Sequence, residues 1–145
     1  MGIEATQKDV QETFDYLFGE ASKVLALGGS FAPFGAAMRE SGERTHVNVD
    51  LPIDRSTPND HISGLIMGFR QEAAQGRIFV AGLAFDGRMT SEGRSDTAVV
   101  IHIESSAGEG LQIFVPYVRP DGVMDPVFEN PVVQPIVPEI FTRAA

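Results

Sequence analysis

Cysteine and tryptophan are absent from this chain of 145 residues. Without cysteine there is no disulfide bond, no thiolate zinc site, no iron–sulfur cluster and no cysteine nucleophile. No G-x-S-x-G segment occurs, and Gly28-Gly29 follows a predicted helix and lacks the G-K-[ST] ending of a phosphate loop. The sequence therefore predicts no cofactor and offers few starting points for catalysis.

Positive charge is also scarce. Lys and Arg number 11 against 20 Asp and Glu, which gives a formal net charge of −9 and argues against nucleic acid or an anionic membrane as a partner. No apolar run approaches the length of a bilayer span, and residues 1–6 have no basic stretch before an apolar core. We expect a soluble, cytoplasmic protein with neither nucleic acid nor membrane as its partner.

Hydrophobic spacing and turn residues predict elements in the order α-β-β-α-β-β-β. The first helix covers residues 6–27, where apolar side chains recur every three or four positions. In the second, residues 57–75, Thr57 caps the N-terminus, Pro58 is the first helical residue and Asp60 the third. The predicted strands are residues 30–38, 45–51, 77–88, 97–105 and 111–118.

These elements predict a two-layer α+β domain over residues 1–118, with one mostly antiparallel five-stranded sheet and both helices on one face. Residues 119–145 form a separate, Pro-rich arm. Six of the nine prolines fall between Pro116 and Pro138, and proline removes backbone donors, so the arm is neither a central strand nor a helix. Its many apolar residues predict that it packs on the domain or on a partner subunit.

The last three predicted strands are apolar on both sides. In residues 77–88, for example, Val80 and Ala84 point one way while Ala81 and Leu83 point the other. An antiparallel sheet with one wet face alternates apolar with polar residues, and these strands do not. Two helices on one face leave the other face for the arm, a second subunit, or both, which predicts a homodimer.

The chain has three histidines, and two of them lie on predicted strands. His46 and Asp50 point to the same side of one strand, and His102 and Glu104 share a parity on another. Together His46, Asp50 and His102 would supply the nitrogen and oxygen ligands of a metal site. We favour the alternative, in which His46 and Asp50 are solvated and His102 is a hydrogen-bonded histidine in an apolar strand.

The third histidine, His61, follows Asp60 in the first turn of the second helix and lies close in sequence to Asp50 and Asp54. Such a cluster contains the groups for general acid–base catalysis. Asp60, however, already has a role, because its charge at the helix N-terminus completes a cap with Thr57. We favour the capping role.

The run from Gly28 to Met38, which includes Phe31-Ala32-Pro33-Phe34-Gly35, and the following Ser41-Gly42-Glu43 resemble a pattern of small uncharacterised bacterial proteins. In that pattern a helix leads through glycines into a Phe-x-Pro-Phe-Gly strand and a hairpin. The resemblance covers about the first fifty residues and implies a bacterial origin but no activity. In element order alone the chain is similar to profilin-like and roadblock-type domains, which are binding and dimerisation modules.

Three functions are compatible with these observations. We favour a non-enzymatic binding or assembly module that acts as a homodimer or in a small complex with another protein. The alternative is a small enzyme, or a ligand- or metal-binding protein, with a polar site around His46, Asp50 and His102. A further alternative, an acidic immunity-type inhibitor that masks a basic toxin, rests on the net charge of −9.

Overall fold

The computed structural model of the chain describes residues 7–29, 31–49, 56–91, 94–119 and 125–142. Its helices are α1 (Gln7–Ala26) and α2 (Pro58–Ala74). The strands are β1 (Phe34–Arg39), β2 (Arg44–Val47), β3 (Ile78–Ser91), β4 (Arg94–Ser105), β5 (Gly110–Val118), β6 (Val127–Phe128) and β7 (Val132–Pro135). The predicted element order is confirmed as far as β5. Two further strands follow it.

Both helices begin or end at the residues that the sequence marks for this. At the start of α2, Asp60 N–H donates to Thr57 Oγ1 at 3.3 Å and Thr57 N–H donates to Asp60 Oδ2 at 2.8 Å, so the predicted capping box is confirmed. After α1, Gly28 adopts a φ of 86° and its N–H donates to Leu25 O. A positive φ is inexpensive only for glycine, so the helix ends there.

All strand pairs are antiparallel, and the sheet order is β2-β1-β3-β4-β5-β6, with β7 also paired to β5. The α+β class and the open antiparallel sheet agree with the sequence. The strand count differs, because seven strands form where five were expected. The additional strands β6 and β7 come from the Pro-rich arm, which adds to the outer edge of β5.

The pairing of β6 with β5 is offset by one residue from the pairing of β7 with β5. Phe114 pairs with Val132, whereas Glu129 N–H donates to Pro116 O at 2.8 Å. Two residues of β5 therefore correspond to three residues of the arm, which is a β-bulge. The bulge includes Pro131, and proline is tolerated in sheets at bulges and edges.

The two helices lie on opposite faces of the sheet, not on one face as expected. A Cβ built on Gly82 would lie 2.8 Å from Leu17 of α1, and one built on Gly35 would lie 2.7 Å from Phe69 of α2. Ala36 pairs with Gly82 and follows Gly35, so these neighbours point to opposite faces. We call the two sides the α1 face and the α2 face.

This layering explains why β3 is apolar on both sides. The α1 face carries the larger core cluster, and the α2 face carries a second one. On the α1 face the cluster includes Leu17, Ala21 and Leu25, and on the α2 face it includes Leu65, Phe69 and Ile140. Helix α2 and the arm residue Ile140 therefore cover the second apolar face, where the sequence argument expected the arm, a second subunit, or both. Over the residues described, neither helix is long and apolar enough to cross a membrane.

Candidate functional site

The predicted polar site is divided between the two faces of the sheet. His46 pairs with Ala36 and lies on the α1 face, whereas His102 pairs with Leu83 and lies on the α2 face. Paired residues of neighbouring strands point to the same side, so the sheet itself separates the two imidazoles. Asp50 lies outside the described residues. Within the described ranges, no three His, Asp or Glu side chains come together as a metal site.

His46 takes part in an aromatic cluster that joins β2 to α1. Its Nδ1 lies 2.7 Å from Tyr16 Oη, a hydrogen-bond distance, and its ring stacks on Phe34 with centroids 5.2 Å apart. Arg44 lies over the Tyr16 ring, 5.3 Å from its centroid, and approaches Glu12 of α1. Burial raises the pKa of the Tyr16 hydroxyl, and the charge of Glu20 adds to this. These contacts give His46 a structural role at the surface.

His61 lies at the start of α2, where its Nε2 is 3.1 Å from Ser56 Oγ. The neighbouring Asp60 is used in the capping box with Thr57, as the favoured interpretation expects. Asp50 and Asp54, the other acidic members of this predicted cluster, lie outside the described residues. The described residues at the start of α2 therefore form a serine–histidine contact and a helix cap.

The most elaborate polar arrangement lies on the α2 face of β4. Glu104 is fully buried and His102 is 7% exposed, within a strand whose other central residues are apolar. His102 Nε2 donates to Glu104 Oε2 at 2.5 Å. Buried polar side chains need partners, and a buried carboxylate needs several.

The other partners of Glu104 are three consecutive backbone N–H groups near the C-terminus. Those of Glu139, Ile140 and Phe141 donate to the carboxylate at 3.0, 2.8 and 3.2 Å. We call residues 139–141 the clasp. Arg70 of α2 donates through Nε to Glu139 O at 2.8 Å, so the clasp joins β4 to α2.

Hydrogen bonding decides the protonation state of Glu104. Burial alone would raise the pKa of this carboxyl, but the bonds from His102 and from the N–H groups of the clasp outweigh burial and hold the pKa below its ordinary value. Glu104 is therefore a carboxylate at neutral pH. It accepts four hydrogen bonds, about as many as its two oxygens can take. The Glu104 carboxylate is thus an anchor for the C-terminal segment, and its own acceptor positions are taken.

Sequence reasoning singled out His102 and Glu104, and it favoured a hydrogen-bonded His102 in an apolar strand over a metal site shared with His46 and Asp50. The clasp could not be predicted from the sequence, because backbone N–H groups are present at almost every residue and carry no side-chain signature. A usable signal was the glutamate in the apolar run Val99-Val100-Ile101-His102-Ile103-Glu104. Glutamate is almost never fully buried unless it is paired.

A second polar contact, partly buried, lies on the α1 face, where Tyr117 Oη donates to Asp86 Oδ1 at 2.8 Å. Burial, the hydrogen bond to Asp86 and the charge of Asp86 together raise the pKa of Tyr117 to about 12. Because the chain has two tyrosines and no tryptophan, an alkaline absorbance titration of Tyr16→Phe should report Tyr117 alone and give a pKa near 12. In Tyr16→Phe/Asp86→Asn the pKa should fall. A single transition at the ordinary tyrosine value of about 10 in Tyr16→Phe would contradict the buried contact.

Fold and site together define an α+β domain whose C-terminal arm is held by a buried carboxylate. No protein-family model matches the chain, and comparisons with curated proteins and with solved structures find no significant similarity. The resemblance of residues 28–43 to small bacterial proteins stays a prediction.

Proposed function

We propose that the chain is a non-enzymatic binding or assembly module that acts as a homodimer. The observation that carries the proposal is the apolar edge that β7 adds to the sheet, where Val133 is 56% exposed and Val137, just after the strand, is 84% exposed. Exposed apolar side chains close together are typical of association surfaces. Protein, and not nucleic acid, is the expected partner, and the net charge of −9 supports this.

An apolar groove of about 300 Å³ lies beside Val133 on the α1 face. Val10 and Phe14 of α1 form one wall, and Val133 and Pro131 of the arm form the other, over a floor that includes Ile113. Side chains of a second copy entering this groove would lose contact with water, which favours association by about 25 cal/mol per Å² of apolar area.

Charge favours the same region. Residues 131–138 contain no charged side chain, although the chain as a whole carries −9. Two identical acidic chains repel each other least where neutral segments meet. A second copy of this chain is therefore the occupant that we propose for the groove, and twofold dimers are the commonest oligomers.

The outer edge of β7 is poorly suited to strand pairing. Ile136 N–H donates inward to Gly110 O at 3.0 Å, and inward and outward backbone groups alternate along an antiparallel strand. Pro135 therefore occupies an outward position, where its missing N–H removes a donor from the open edge. Proline at this position blocks edge-to-edge pairing, so the contact between copies would use the groove and its valines.

The proposal predicts a particle of twice the chain mass of 15.6 kDa in light scattering at micromolar concentration. Val133→Asp should give the monomer mass, because burying an unpaired charge at a contact costs several kcal/mol. The matched control is Met67→Asp, a change at an exposed position of α2, which should stay dimeric. A mass near 15.6 kDa for the unchanged chain would refute the homodimer. We also propose that the protein is cytoplasmic.

A further inference from the structure

The two edges of the sheet differ in how they end. At the β7 edge, the missing N–H of Pro135 removes a donor that would point outward. The other edge is β2, and among the described residues only β1 pairs with it. After β2 the chain turns towards α2, where a Cβ on Gly64 would lie 3.1 Å from Val49. The outer side of β2 is therefore an open edge, which is a template for a further strand.

The hydrogen bonds of the β1–β2 hairpin show which backbone groups of β2 point outward. Arg39 N–H donates to Glu43 O at 2.9 Å, and hydrogen-bonded pairs alternate with non-hydrogen-bonded pairs along an antiparallel ladder. Arg44 comes next on this ladder and His46 two residues later, so both belong to non-hydrogen-bonded pairs. Their N–H and C=O groups point away from β1, and no described residue bonds to them.

The outward groups select the kind of partner. Arg44 and His46 each present one N–H donor and one C=O acceptor, and the two residues lie about 7 Å apart along the strand. This alternation of donors and acceptors matches the backbone of a second extended chain. The chemistry of the edge therefore points to a peptide in an extended conformation.

A trench of about 280 Å³ lies beside the same edge on the α2 face. Helix α2 packs over β1 and β3, so Thr45 and Val47, which point to this face, are only half-buried. They line the trench together with Val49, Leu65 and Phe69. The volume is below the usual range for drug-sized ligands, so it suits a single apolar side chain.

We propose that β2 binds an extended peptide segment of another protein as an added antiparallel strand. Two peptide residues exchange backbone hydrogen bonds with Arg44 and His46, and the residue between them lies opposite Thr45. Paired residues point to the same face, so the side chain of this middle residue enters the trench, which fits an aliphatic group such as leucine. In this mode of recognition the main-chain bonds provide affinity and the pocket provides specificity.

Charge favours a basic segment over a second copy at this edge. The chain carries a net charge of −9, which attracts a segment with lysine or arginine and repels another acidic chain. The site lies at the opposite edge of the sheet from the dimer groove. The two proposals therefore fail or succeed separately.

The experiment is a two-dimensional NMR titration of the full chain with the peptide acetyl-KTTLTTK-amide. We expect saturable shifts at residues of β2 and of the trench. Replacing the central leucine of the peptide by alanine should weaken binding at least about tenfold, because the trench then stays unfilled. No saturable shift, or equal binding of the two peptides, would overturn the proposal.

N-methylated peptides distinguish strand addition from a contact made by side chains alone. In the antiparallel arrangement the N–H groups of the two threonines next to the leucine face β2, whereas the leucine N–H faces away. Methylating both threonine nitrogens should weaken binding at least about tenfold. Methylating the leucine nitrogen is the matched control and should leave the affinity nearly unchanged. If the two modified peptides bind equally, or in the reverse order, the proposed strand is wrong.

A proline variant tests the edge from the side of the protein. His46→Pro removes an outward N–H and leaves the bonds between β1 and β2 in place. His46→Ala is the reference, because both variants lose the imidazole contact with Tyr16 and only the proline variant loses the donor. His46→Pro should bind the peptide at least about tenfold more weakly than His46→Ala. Equal affinities would contradict the proposal, and if the proline variant does not fold, the N-methylated peptides decide it on the unchanged chain.

Light scattering identifies the other occupant of this edge. If His46→Pro halves the particle mass relative to His46→Ala and the peptide gives no saturable shift, β2 pairs with a second copy and the proposal fails. We expect the same mass for both variants.

Discussion

Glu104→Ala is expected to lower the free energy of unfolding by about 3–5 kcal/mol, the usual cost of removing one partner from a buried charged pair. The substitution leaves His102 without its acceptor and the three N–H groups of the clasp without theirs. For a chain of this length the melting temperature should fall by roughly 10–20 °C. Thermal unfolding followed by circular dichroism measures the change.

Glu109→Ala provides the control for Glu104→Ala. Glu109 is an exposed residue of the same sequence region, and its replacement should change the unfolding free energy by less than about 0.5 kcal/mol. If the two variants melt within a degree or so of each other, the carboxylate of Glu104 is not the anchor of the clasp.

The pH dependence of stability gives a second measurement on the same residue. The folded state holds the pKa of Glu104 below its ordinary value of 4.5, so the unfolded chain takes up a proton first as the solution is acidified. The stabilisation is therefore fully present above pH 4.5 and is lost as the pH falls through the lowered pKa. In Glu104→Gln, which cannot ionise, the unfolding free energy should depend less on pH over this window.

The sequence predicts the helices and most of the strands because their signals are local. The cap formed by Thr57 and Asp60 and the glycine after α1 depend on residues a few positions apart, and the structure has both. The lack of apolar–polar alternation along β3 and β4 correctly indicates strands that are apolar on both sides. These signals act within one element, so no knowledge of neighbouring elements is needed to interpret them.

Layering is a different kind of information. The apolar second side of β3 shows that something covers it, but such a side is equally suited to a helix, an arm or a second subunit. In the structure Phe69 of α2 packs against Gly35 on this side. Nothing within β3 distinguishes that outcome from a subunit contact, and so the argument that placed both helices on one face was wrong.

The separation of His46 from His102 has the same origin. Parity along a strand establishes which residues of that strand share a side, but it leaves the relation between strands open. That relation depends on the register, which pairs Ala36 with His46 and Leu83 with His102. Because Gly35 pairs with Leu83 and precedes Ala36, the two histidines fall on opposite faces.

Removal of residues 119–145 is expected to abolish cooperative folding and to give an aggregating protein. Without the arm, Phe128 no longer packs against Phe18 of α1 and Tyr117 of β5, and Ile140 leaves the core of the α2 face. The exposed backbone of β5 becomes a long, apolar sheet edge, which is a template for aggregation. Solubility and a thermal melt measure the result.

Removing the arm takes away three separate contributions: the contact of Arg119 with α1, the strands β6 and β7, and the clasp. A shorter truncation separates them. Arg119 Nη2 donates to Leu25 O and Gly29 O at 2.8 Å each, so its removal exposes the carbonyl end of α1. Deleting only residues 139–145 keeps this contact and the strands β6 and β7 but removes the clasp. That chain should stay soluble and folded, with a melting temperature below that of Glu104→Ala, because the deletion removes the three hydrogen bonds of the clasp and also the buried side chain of Ile140. A cooperative, soluble chain of residues 1–118 would show that the domain is complete without its arm, and would limit the anchor at Glu104 to holding a dispensable tail.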